Sequence, residues 1–164
     1  MALKAAMWVH GNAFHIEGPV EEVTTRGNGA LIRGKNDLIT RFHFPIPTPV
    51  ILDATRLRLV RVFVFYDTLP LSATSEALGP KLISLQVFDG PKLVRSFENL
   101  VLAGPHDKAI DGANTWSIAP PLEVFFGLSL SVAMFFPGVV SEEKRTILFT
   151  TAGADFEGAQ IERA

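Results

Sequence analysis

Short apolar runs, broken by glycine, proline or asparagine roughly every ten residues, set the rhythm of this chain, and no helical stripe persists through three turns. That pattern predicts strands. The first covers residues 6–10 and is followed by a Gly11-Asn12 turn and a second run over 14–17. Residues 20–25 and 30–32 flank Arg26-Gly27-Asn28-Gly29, a hairpin loop. Over 39–44 the alternation places Phe42 and Phe44 on one face and Arg41 and His43 on the other. Pro45, Pro47 and Pro49 deny ladder donors and predict a stiff connector at an edge or between sheets.

Residues 56–66 form the strongest strand. Leu57 and Leu59 share a face, and from Val60 both faces are apolar, as in a central strand covered on both sides. Residues 67–80 read as a long exposed loop with at most one helical turn at 75–78. Residues 82–88 and 93–97 make a hairpin across Asp89-Gly90-Pro91, and 103–121 reads as a second irregular region. Two last strands, 124–136 and 146–151, precede a polar tail from about residue 153. The sum is an all-β chain: one domain over 1–164, folded as a two-layer antiparallel sandwich of jelly-roll or immunoglobulin-like Greek-key type with about 8–10 strands.

Composition narrows the function classes. Hydrophobic residues make up 48% of the 164, enough for one sizeable core. Lys and Arg number 15 against 17 Asp and Glu, without the basic excess that neutralising phosphates requires, so nucleic acid is not an expected partner. There is no cysteine, which removes disulfides, thiolate metal sites and cysteine nucleophiles. The opening residues lack the pattern of a signal peptide, and the longest apolar stretch, 124–140, is interrupted by glycine, serine and proline and is shorter than the roughly 20 residues of a membrane span. A soluble, cytoplasmic protein without membrane partner or cofactor is expected.

The candidate chemistry is sparse. His10, His15 and His43, with Glu17 two residues from His15, are the residue types for acid-base work or for a metal, although the His-x-His pair of cupin-like sites is missing and no metal is predicted. Asp107, Asp111 and Asn114 offer oxygen ligands for calcium, but at a spacing that matches no EF-hand and leaves coordination incomplete, and Asx turns are the preferred account of them. His106, Asp111, Asn114 and Trp116 combine an aromatic ring with hydrogen-bonding groups, the needs of a saccharide site. The adjacent pairs Phe125/Phe126 and Phe135/Phe136 place one member of each outside any single sheet face, which predicts self-association.

Met7-Trp8-Val9-His10-Gly11-Asn12, residues 41–49, Asp111-Gly112-Ala113-Asn114-Thr115-Trp116 and residues 151–156 together resemble a small bacterial family of uncharacterised single-domain β proteins. The resemblance implies a bacterial, stand-alone domain and brings no activity, substrate or catalytic residue. The expected function is a non-catalytic binding or assembly domain recognising a saccharide or other small polar ligand through its long loops. The alternatives are a small acid-base enzyme with a pocket at one end of the sandwich, and a structural subunit of an oligomer.

Overall fold

The computed structural model of the chain describes residues 3–70, 79–138 and 141–158. The strands in order are β1 (Leu3–His10), β2 (His15–Glu17), β3 (Val20–Arg26), β4 (Gly29–Gly34), β5 (Leu38–Ile46), β6 (Ile51–Leu52), β7 (Thr55–Asp67), β8 (Lys81–Asp89), β9 (Lys92–Phe97), β10 (Pro105–His106), β11 (Thr115–Glu123), β12 (Leu128–Phe136) and β13 (Thr146–Gly158). β2, β6 and β10 have only two or three residues, which leaves ten substantial strands. A short 3-10 turn, Glu142–Arg145, leads into β13.

These strands pair antiparallel into two sheets that share one core, the expected sandwich. The smaller sheet runs β2-β5-β12-β8-β9, and the larger runs β10-β7-β13-β4-β3, with β1 added to β13 and with β11 and β6 added to β7. Hairpins such as β3–β4 and β8–β9 stay within a sheet, whereas most other connections cross between sheets. The proline segment after β5 is one such crossing, carrying the chain to β6 and β7.

Alternation fills the core. Phe42 and Phe44 of β5 are fully buried and meet Phe149 of β13 at ring distances of 5.1 and 5.3 Å, with Phe14 edge-on to both. Burying each such ring contributes roughly 2–3 kcal/mol. In β7 the buried parity changes from Leu57 and Leu59 to Val62, Val64 and Tyr66, because a register shift opposite Asp155/Phe156 inserts one residue. The apolar run from Val60 thus feeds both faces.

Four sequence expectations change. β13 continues to Gly158, so residues 153–158 are strand rather than polar tail: Ala154 and Phe156 enter the core while Asp155 and Glu157 face outward against Arg61 and Arg58. The expected strand over 124–136 begins at Leu128, because Val124 to Gly127 form a turn with Gly127 at φ +129. Within the supposedly irregular 103–121, β10 and most of β11 are paired to β7, and a register shift between Ser117 and Leu122 accommodates the two prolines. Of the expected loop over 67–80, residues 71–78 lie outside the described ones, and Thr68, Gly79 and Pro80 beside them are buried, not exposed.

Candidate functional site

The loop that joins β10 to β11 is built around Asn114, which is fully buried. Its amide donates to the carbonyls of His106 and Ala109 at 3.0 and 2.7 Å, and its Oδ1 accepts from the Asp111 N–H and the Thr115 hydroxyl. Asp111 accepts the N–H groups of Ala113 and Asn114 and contacts His106 Nδ1 at 2.8 Å. Desolvation works against the charged form, but the bond to His106 and the two backbone bonds outweigh it and hold the Asp111 carboxyl below the usual aspartate range. Tyr66 donates to the Ala113 carbonyl, and burial, then the charge of Asp111, push its phenol up.

Trp116 belongs to the core, 7% exposed and 6.4 Å from the ring of Phe97. A saccharide platform needs an open ring face, and this loop spends its polar groups on its own closure. His106, Asp111 and Asn114 are brought together, but as an Asx-stabilised loop with Trp116 beneath it. The oxygens proposed for calcium are spent in the same way on Asp111 and Asn114. Asp107 does not join them: its carboxylate acts instead on Asp67. Among the described residues no group of three or more His, Cys, Asp or Glu is arranged to hold a metal ion.

His10 is apart from the other histidines, bonded to Asn12 and to the Gly27 carbonyl at the β3–β4 turn. His15, Glu17 and His43 do converge on the outer face of the smaller sheet. His15 lies opposite His43 in the β2–β5 ladder, and His43 Nε2 meets Glu17 Oε2 at 2.7 Å.

That face also carries a concavity the sequence reading missed. On β12, Leu128, Leu130, Val132, Met134 and Phe136 enter the core, which turns Ser129, Ser131, Ala133 and Phe135 outward. Ala133 lies opposite Arg41 of β5 and Ser84 of β8, and small residues there leave a trough of about 450 Å³. Ile39, Ile83, Leu100 and Val101 supply apolar walls, while Arg41, Ser84, Glu98 and Asn99 supply polar ones. Ile39 and Val101 are 51% and 74% exposed.

A chain of hydrogen bonds links two of the polar residues that line the trough. Arg41 Nη1 donates to Gln86 Oε1 at 3.4 Å, and Gln86 Nε2 donates to Glu98 Oε1 at 3.2 Å. Bonds from Ser96 and Gln86, helped by the charge of Arg41, hold the Glu98 carboxyl below its usual value. One row along, opposite His43 and Gln86, Ser131 is 1% exposed and its hydroxyl has no partner among the described residues. Among the described residues Arg41 reaches Glu98 only through Gln86 and its charge, whereas Arg33, Arg58 and Arg61 contact carboxylates directly.

The two phenylalanine pairs separate. Phe136 is buried and Phe135 faces outward, as alternation requires. Phe125 and Phe126 sit instead in the β11–β12 turn, 53% and 74% exposed. The buried Asp89 carboxylate accepts the N–H groups of Phe125, Phe126 and Gly127 at 2.8–3.0 Å and fixes that turn.

A family model, described as a family of unknown function (DUF6623), matches residues 2–133. The chain belongs to this family. The DUF6623 match spans β1 through most of β12, including the trough, and ends before β13. No curated protein matches the chain. Among the described residues no helix is long and apolar enough to cross a membrane.

Proposed function

We propose that the protein is a non-catalytic binding domain that seats a small polar ligand with an aliphatic portion in the trough of the smaller sheet. One observation carries the reading: Arg41, linked to Glu98 only through Gln86 and without a direct ion pair among the described residues, stands beside the exposed aliphatic walls of Ile39 and Val101 in a single concavity. The acid-base alternative has less support, since neither the His43–Glu17 nor the His106–Asp111 pair lines that concavity. A cysteine-free chain fits the cytoplasm of a bacterium, and no step of this function calls for a cofactor.

A thermal-shift screen of small carboxylic acids and amino acids, followed by calorimetry, tests the proposal. A binder should weaken about tenfold in Arg41→Ala, the loss expected for one charge-assisted hydrogen bond. If no compound shifts the melting temperature, or if Arg41→Ala binds as well as wild type, the trough is not the site.

A second reading, self-association, is favoured by the rigid, exposed Phe125–Phe126 turn. Light scattering at tens of micromolar should report a dimer or larger that the Phe125→Asp/Phe126→Asp double variant converts to monomer. A monomeric wild type rules this reading out.

A further inference from the structure

On β1, Ala5, Met7 and Val9 pack toward the core, so Ala6, Trp8 and His10 face outward. The ladders place Trp8 beside Gly153 of β13, Gly153 beside Phe63 of β7, and Phe63 beside Thr115 of β11. The next row is Ala6, Asp155, Arg61 and Ser117. Two stretches far apart in sequence, around Trp8 and around Gly153, thus meet on the outer face of the larger sheet, remote from the trough.

Gly153 makes the arrangement possible. A Cβ there would lie 2.7 Å from two atoms of the Trp8 indole, so the missing side chain lets the ring lie against the sheet. The indole stacks on Phe63 at 4.8 Å and 23° and meets the edge of Phe65 at 5.5 Å. The Arg61 guanidinium sits 5.0 Å from the Phe63 ring and is held by the buried Asp155, with Nε to Oδ2 at 3.0 Å. Phe63 is fully covered, whereas Trp8 keeps 39% of its surface exposed.

We propose that this face binds an uncharged oligosaccharide, one sugar ring stacking its CH face on Trp8 and neighbouring hydroxyls bonding to Arg61, Ser117 and Thr115. A fixed indole beside hydrogen-bonding groups meets both needs of a sugar, a CH-rich face and polar edges. The ring is pinned before binding, so little side-chain entropy is lost on association. Charge selects the neutral class: Arg61 is matched by Asp155 and Arg58 by Glu157, which leaves no excess cation to attract an acidic glycan. Area selects against a protein partner. One half-exposed indole, with Phe63 covered, falls far short of the roughly 800 Å² per partner of a stable protein interface.

Since Trp8 and Trp116 are the two tryptophans of the chain, Trp116→Phe isolates the Trp8 emission. That variant is titrated with cello-, xylo-, malto- and chito-oligosaccharides while emission and acrylamide quenching are recorded. At least one probe should shift the emission saturably and protect it from quenching, and calorimetry on the otherwise unaltered chain should show binding that Trp8→Ala weakens about tenfold or more and Trp8→Phe weakens less. Arg41→Ala, in the trough, should bind the same sugar unchanged. The proposal is overturned if none of the probes alters Trp8 emission, or if a sugar binds and its affinity depends on Arg41 but not on Trp8.

Discussion

At the scale of single residues, two carboxylates illustrate opposite uses of burial. Asp89 is 5% exposed and accepts three consecutive N–H groups, so truncating it leaves buried donors unpaired. Asp89→Ala should lower unfolding free energy by about 3 kcal/mol in urea titration, and Asp89→Asn by less, since one acceptor remains. Asp67 is the reverse case. Desolvation first, and then the charge of Asp107, raise its carboxyl above the usual aspartate value, although the Leu69 N–H bond opposes them. The folded state therefore disfavours the charged form. Stability falls as pH rises from the unfolded carboxyl value through the raised folded one, and this group contributes no penalty at lower pH. Asp67→Asn should match wild type near about pH 3 and exceed it near about pH 7 in urea midpoints; a gain confined to acid pH contradicts the assignment.

At the scale of elements, strict period-two segments were legible and small-residue segments were not. Ile39 to Phe44 alternates cleanly, and the structure buries Thr40, Phe42 and Phe44 as that alternation demands. Thr151 to Phe156 alternates too, but through Ala152, Gly153 and Ala154, whose slight hydrophobicity hid a strand that β1 and β7 flank on both sides. Trp116 invites a binding reading because its partner Phe97 is remote in sequence, and Trp8 does not stand out because it lies in the unbroken apolar run Ala5 to Val9, where both faces are apolar. The trough was invisible for a similar reason: Ala133 and Ser84 become a floor only once β12 and β8 are side by side. A chain ending at residue 133, where the family match stops, loses all of β13 and with it a central strand of the larger sheet. That fragment should lack dispersed amide resonances and a cooperative melt, whereas the full chain shows both.

At the scale of the whole molecule, the two proposals divide between the two sheets the binding that one loop was expected to perform. The smaller sheet presents a concavity lined by both Arg41 and Glu98, and the larger presents an aromatic face on which Arg61 meets Asp155 and Arg58 meets Glu157. The loop between β10 and β11 is closed on itself by Asn114 and serves the fold. A near-neutral chain of net charge −2 gives neither face a long-range field, so the recognition proposed for both rests on contact and shape. Leu3 lies opposite Glu157, since β1 and β13 run side by side in opposite directions. The described strands thus nearly close a ring. A short peptide bridge from Leu3 to Gly158 would lower the entropy of the unfolded chain, and new ends opened at the Gly27-Asn28 turn would leave every described strand and both proposed recognition faces uncut.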